Sequence, residues 1–295
     1  MSATQAIPES TLTLAQRLSD ISAESENNPF KRLAGWEKEI APEAAWHTHP
    51  ELISLQGTPE YDALDESAKK RLSFYEAVNF YSLNIHGERS LMEGLAERLY
   101  RKWPREVSTY LHHFLAEENN HMVLFGGFCQ RYAGKIYPDR HLNVPREYAP
   151  GEKDFLFFAK VQVFEEIVDY YNYLNAGCEL LHPISREINR LHRIDEARHL
   201  AFGRKMVADL FAEHSPRWSN ETLAGIRSYL EGYIIATLRE YVNPDMYRDA
   251  GFADPYATME LAWAAPSSRQ RREKATAKLR HFFQSRGILT SEVSL

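Results

Sequence analysis

Three Glu-x-x-His pairs stand in the sequence: Glu118/His121, Glu179/His182 and Glu196/His199. Side chains three residues apart share one face of a helix, so each pair inside a helix offers a carboxylate beside an imidazole. Those donors together suit iron or manganese, whereas a zinc site is more often tetrahedral and contains thiolate. The middle pair runs straight into Pro183 at a predicted helix start, so its side chains need not share a face, and we read it as a chance match. The other two lie inside long helical stretches. The stretch between them carries Glu165, and the stretch before them carries Glu88. The order Glu, Glu-x-x-His, Glu, Glu-x-x-His on four successive helices is how four-helix bundles hold a pair of iron or manganese ions.

Charge agrees with this. Four carboxylates on interior faces carry four negative charges, and each buried unpaired ion costs several kcal/mol. No Lys or Arg lies on the first two interior faces, whereas two Fe²⁺ ions would neutralise the set. Metal-bound imidazoles usually donate their second N–H to a carboxylate. Asp195 precedes Glu196 and Glu117 precedes Glu118, so the expectation is Asp195 for His121 and Glu117 for His199, with Arg198 steadying Asp195. Glu166 stands next to Glu165 and also falls on a partly apolar face, so periodicity leaves the choice between them open.

The elements that must position these residues are helical. A first long pattern, about Glu66 to Tyr100, places Phe74, Val78, Tyr81, Ile85, Glu88, Met92 and Leu95 on one face in steps of three and four. A second begins at Pro104 and lines up Val107, Leu111, Phe114, Glu118, His121, Phe125 and Phe128. In both, the polar residues are the only breaks in an apolar stripe. A third spans about Glu152 to Cys178 with Phe158, Val161, Glu165, Val168 and Asn172. A fourth spans Pro183 to about Ala212 with His192, Glu196 and His199. Two more, Ser219–Tyr241 and Ser267–Phe283, follow, with a turn-rich, aromatic stretch from Asn243 to Ala265 between them. The first sixty residues read as short helices and loops that wrap the body. No run alternates as a strand would. The expectation is an all-α, ferritin-like four-helix bundle core (about 66–212) with added N- and C-terminal helices (213–295), all in one domain over 1–295.

Composition bounds the alternatives. The chain has 295 residues, 44% hydrophobic and 26% charged, with a net charge of −6 and no basic tract, which argues against a nucleic-acid partner. Cys129 and Cys178 are the two cysteines, too few for an iron–sulfur cluster or a disulfide framework, so a reducing cytoplasm is expected. Residues 1–9 lack the pattern of a signal peptide, and the most apolar run, Phe155–Phe164, is short and broken by Lys160 and Gln162, so no membrane span is expected.

The fourth stretch holds one histidine more than a bundle of this kind needs. His192-x₃-Glu196-x₂-His199 resembles the p-aminobenzoate N-oxygenase family, ferritin-like diiron enzymes that oxidise aryl amines to nitroso or nitro products. The resemblance covers roughly Glu88 to His199. It implies a ligand set of Glu88, Glu118, His121, Glu165, His192, Glu196 and His199, in which Glu165 is preferred to Glu166 for its distance from His192. It also implies two iron ions, O₂ as co-substrate, a diferric peroxide as oxidant and a small amine as substrate. Electrons would come from a ferredoxin or reductase, because the chain has no flavin or nicotinamide fingerprint. A homodimer is the default expectation for assembly. C–H hydroxylation, desaturation or oxidative cleavage at the same site is the competing chemistry, and a non-catalytic ferritin-like iron protein is the competing class. Arg239 and Arg248 are candidates to meet a substrate carboxylate.

Overall fold

The computed structural model describes residues 7–25, 28–101, 103–140 and 146–295. The signal-peptide reading therefore falls partly on residues outside those described. Among the described residues there are no strands, only an isolated bridge between Trp46 and Leu181. The α-helices are α1 (Glu9–Ala23), α2 (Pro29–Gly35), α3 (Pro59–Asp62), α4 (Glu66–Arg98), α5 (Arg105–Phe128), α6 (Glu152–Gly177), α7 (Pro183–His214), α8 (Asn220–Arg239), α9 (Pro244–Ala250), α10 (Pro255–Ala264) and α11 (Pro266–Ser285). None of them is long and apolar enough to cross a membrane.

Local chemistry sets where the long helices begin. Asp65 accepts the N–H of Ala68 and caps α4, where an Asp oxygen satisfies one of the free first-turn donors. Pro104 precedes the first residue of α5, and Pro183 opens α7. His182 sits at the cap position of α7, its ring accepting from the N–H of Ile184 and stacking on His47, while Glu179 is exposed. The middle Glu-x-x-His pair thus straddles a helix start. The stretch from Asn243 to Ala265 is more ordered than its turn-like composition suggests. Pro244 and Pro255 open α9 and α10, each behind an Asn or Asp cap, so the prolines start helices there.

Helices α4 to α7 form the bundle, with α4 against α5 and α6 against α7, and α1 laid across α5 and α7. Two apolar clusters fill it. One holds Leu91, Leu95, Leu111, Phe114, Phe158 and Phe202; the other holds Val78, Tyr81, Phe125, Phe128, Val168 and Ile188. Every bundle helix contributes to both. On α4, α5 and α7 the acids and imidazoles of the motif fall between the two contributions. On α6 Glu165 lies three residues before Val168, the first buried residue of that helix in the second cluster, so the polar residues meet where one core gives way to the other. Glycine permits the close approach of α4 to α6: a Cβ on Gly87 would lie 2.4 Å from the Phe164 ring, next to Glu88 on one helix and Glu165 on the other.

Candidate metal centre

Glu88 on α4, Glu118 and His121 on α5, Glu165 on α6, and His192, Glu196 and His199 on α7 are all buried, none more than 3% exposed. Their ligand atoms converge. Glu88, His121 and His192 form one group of donors that could hold a metal ion, and Glu118, Glu165 and His199 form another. A third group, Glu118, His121 and Glu196, shares His121 with the first and Glu118 with the second, and the ligand atoms of each group lie within 4.8 Å of one another. His121 Nδ1 lies 3.2 Å from Glu118 and 3.7 Å from Glu196. His199 Nδ1 lies 2.9 Å from Glu118 and 3.2 Å from Glu196. His192 enters the other way round, with Nε2 2.9 Å from Glu196 and 3.4 Å from Glu88.

The outward faces of the rings are held as well. His121 Nε2 lies 3.1 Å from Asp195, and His199 Nε2 lies 2.8 Å from Glu117. Arg198 donates to both acids, at 2.6 Å to Asp195 and 2.5 Å to Glu117, so it ties the two outer partners together rather than serving Asp195 alone. Phe114 stacks on His199 at 3.8 Å between ring centres, and Phe125 meets His192 edge-on at 5.0 Å. Asn172 contacts Nδ1 of His192 at 2.9 Å. Spacing put Asn172 on the face of Glu165, but its pairing depends on the register between α6 and α7. Glu166 points elsewhere: Arg204 donates to it from Nε at 2.7 Å, and Gln162 at 3.0 Å.

These residues fit divalent cations on two observations. Both oxygens of Glu88 and of Glu165, with Oε1 of Glu118 and Oε2 of Glu196, are buried without a hydrogen-bond partner among the described residues. Glu118 Oε1 lies close to His199 but off the donor direction of the ring, so proximity there is not a hydrogen bond. Buried acceptors are normally satisfied, and a cluster of orphans on charged groups signals a missing positive partner. The protonation pattern says the same. Burial, then the Glu118 carboxylate, pushes Glu88 well above the usual range, and burial with Glu196 does so for Glu165. Burial also opposes charge on Glu196, yet His199 and His192 together hold it well below that range. Burial disfavours the imidazolium of His121 and His199, but the surrounding acids outweigh it and both are raised. Burial wins at His192, which is lowered. Without cations the cluster must recruit protons to balance its acids.

A separate cavity of about 220 Å³ lies against α4, lined by Leu83, His86, Tyr137, Arg140, Arg239 and Met259 among others. Arg239 stands at its wall, 4.1 Å over the Trp263 ring and 3.4 Å from Glu260, whereas Arg248 is exposed and paired with Asp245. The cavity takes Leu83 and His86 from α4, on the side of the helix turned away from Glu88.

Fold and site together define a ferritin-like carboxylate–histidine bundle. The chain matches the p-aminobenzoate N-oxygenase AurF family over residues 9–287, and it belongs to that family. Among curated proteins it is similar to uncharacterized proteins of Mycobacterium bovis and Mycobacterium tuberculosis, each 25% identical over 226 residues, or 72% of this chain. The match spans 63% of those relatives' own length. Among solved structures it is similar to two variants of an R2-like ligand-binding oxidase with a reconstituted Mn/Fe cofactor. Their TM-scores are 0.47 and 0.49 at 14% and 15% identity, covering 94% of this chain and 93% of theirs.

Proposed function

We propose that this chain is an O₂-dependent diiron oxygenase that transfers oxygen to the amine nitrogen of a small aryl amine. The observation that carries the reading is the set of buried carboxylate oxygens without partners, ringed by three imidazoles. Glu88, His121 and His192 would hold one iron and Glu165 and His199 the other, with Glu118 and Glu196 within reach of both. When bound, the iron pair supplies the reductive activation of O₂ and the transfer of oxygen.

The chain's own residues prepare that site. Asp195 and Glu117 accept the outward Nε2–H of His121 and His199, which leaves each Nδ1 lone pair facing inward. Arg198 offsets the charge of both acids, so neither needs a proton from the ring it orients. Phe114 covers the face of the His199 ring and Phe125 packs edge-on against His192, so apolar side chains border both. His192 adds a neutral nitrogen donor beyond the two Glu-x-x-His pairs. A nitrogen-rich donor set favours oxygen transfer to a nucleophilic amine over the breaking of a strong C–H bond. Electrons would come from a ferredoxin or reductase. Two buried thiols, Cys129 and Cys178, are in keeping with a reducing, cytoplasmic setting. A homodimer remains the proposed assembly.

The test is a product screen. Protein loaded with Fe²⁺, reduced and exposed to labelled O₂ with an aminobenzoate should yield hydroxylamine, nitroso or nitro products carrying the label. Oxidised hydrocarbon with the amine untouched would move the chain to C–H chemistry. Iron retained with no product from either substrate would make it an iron-binding protein.

A further inference from the structure

The three imidazoles of the cluster are not held alike. His121 and His199 turn Nδ1 inward and give Nε2 to a carboxylate. His192 turns Nε2 inward and gives Nδ1 to the side-chain amide of Asn172, at 2.9 Å. Asn172 is 0% exposed and His192 is 2% exposed, so neither side chain is open to bulk solvent. In the arrangement present, the Asn172 Nδ2 group faces the ring and its Oδ1 is buried without a partner. The ring nitrogen facing an NH₂ donor must be the acceptor, so the proton of the neutral ring sits on Nε2, directed at Glu196.

A metal ion held by Nε2 needs the lone pair there, and the proton must then be on Nδ1. That N–H requires an acceptor, which the amide offers only after turning its oxygen to the ring. An amide's oxygen and nitrogen are nearly alike in shape, so the turn needs no repacking. A carboxylate in this place could only accept, and would add charge to a pocket already crowded with acids. We propose that Asn172 is the positioning residue of His192, a neutral partner that turns over when the ring takes up metal. The amide donates to Nδ1 in the metal-free protein and accepts from Nδ1 in the loaded one, whereas Asp195 and Glu117 accept in both. The ring it holds is correspondingly the weaker donor of the three, because an amide polarises an imidazole N–H less than a carboxylate does. This rests on the reading of the cluster as a metal centre.

The experiment is nitrogen NMR of the full chain with ¹⁵N-labelled histidine, metal-free and loaded with Zn²⁺ as a diamagnetic probe. His192 should carry its proton on Nε2 without metal and on Nδ1 with it, while His121 and His199 keep theirs on Nε2 when loaded. This arm needs no variant. In Asn172→Leu, Zn²⁺ affinity should fall by roughly tenfold, the lower end for loss of such an outer partner. In Asn172→Asp the His192 proton should sit on Nδ1 in both states. Zn²⁺ bound with the His192 proton in the same place before and after overturns this proposal alone, as does Asn172→Leu with parental affinity and an unchanged His192 signal. A parent protein that binds no Zn²⁺ overturns the metal reading and this proposal with it.

Discussion

Helix α4 carries two buried glutamates, Glu76 and Glu88, and their surroundings could hardly differ more. Glu76 accepts from the N–H of Ser54 at 2.8 Å and from its hydroxyl at 2.5 Å, and the same hydroxyl accepts from Tyr247 at 2.7 Å. Arg271 reaches the backbone of the same segment, donating to the carbonyls of Glu51 and Ser54. Glu88 has no hydrogen-bond partner for either oxygen among the described residues and faces other acids. Both are raised above the usual carboxylate range, chiefly by burial. A raised carboxyl is therefore not what marks the functional residue. Glu76 is built into a closed hydrogen-bond network that pins residues 51–54 to the bundle, whereas Glu88 belongs to a set whose acceptors converge on one another.

The two glutamates should differ most in their bearing on metal. Anaerobic Fe²⁺ should saturate at two ions per chain, and Glu118→Ala or His199→Ala should lower that number, as read by iron analysis. A ligand that binds only the folded chain adds about 4 kcal/mol at a thousandfold excess over its Kd, so loading should raise the unfolding midpoint by several degrees. Glu76→Gln should leave the iron count at two. A single iron, or a count insensitive to Glu118, would remove the distinction between the two glutamates.

The second prediction concerns pH. Burial raises Glu76 to about 7 from 4.5, with the Ser54 hydrogen bonds and Arg271 opposing. The folded chain then keeps a proton that the unfolded chain releases. The contribution of Glu76 to stability is fully present below pH 4.5 and is lost as pH rises to about 7. The lost amount is on the order of 3 kcal/mol, taking about 1.4 kcal/mol for each pKa unit. In urea melts of the metal-free protein, Glu76→Gln should remove that part of the decline between pH 4.5 and 7 while keeping a hydrogen-bonding side chain. An unchanged slope would mean that Glu76 is charged in the folded protein and paired more strongly than its Ser54 contacts suggest.

How much of this was legible in the sequence depends on how local each feature is. The stripes that place Glu88, Glu118, Glu196 and His199 inward follow from spacing on single helices, and such spacing is visible in any sequence. The choice between Glu165 and Glu166 was not visible from spacing. Adjacent residues on a helix point about 100° apart, both faces are partly apolar, and Arg204 on the next helix is what draws Glu166 away. Asn172 escaped as a partner for the same reason, since its contact with His192 exists only once α6 and α7 take their register. The helices α9 and α10 escaped because Pro244 and Pro255 read as breaks when taken alone, although each sits at a first helical position behind a cap.

The smallest effect is expected at His192, a neighbour of Glu88 and not of Glu76. His192 Nε2 lies 3.4 Å from Glu88 and 2.9 Å from Glu196, yet six other candidate ligands remain without it. His192→Ala should therefore still take up two irons, with affinity at one site reduced by at least the roughly tenfold, or about 1.4 kcal/mol, expected for loss of its outer partner. Mössbauer spectra of the Fe²⁺-loaded variant should show one iron site altered and the other unchanged. Removing a buried ring also leaves a hole, so some loss of folding stability is expected whether or not the ring binds metal. Stability alone cannot then assign the residue, and the asymmetry between the two sites can. If both sites keep their parental spectra, His192 is a packed core histidine hydrogen-bonded to Glu196. If both sites are lost together, the ring supports the whole cluster instead of one position in it. A change confined to one site is the result expected of a third imidazole donor.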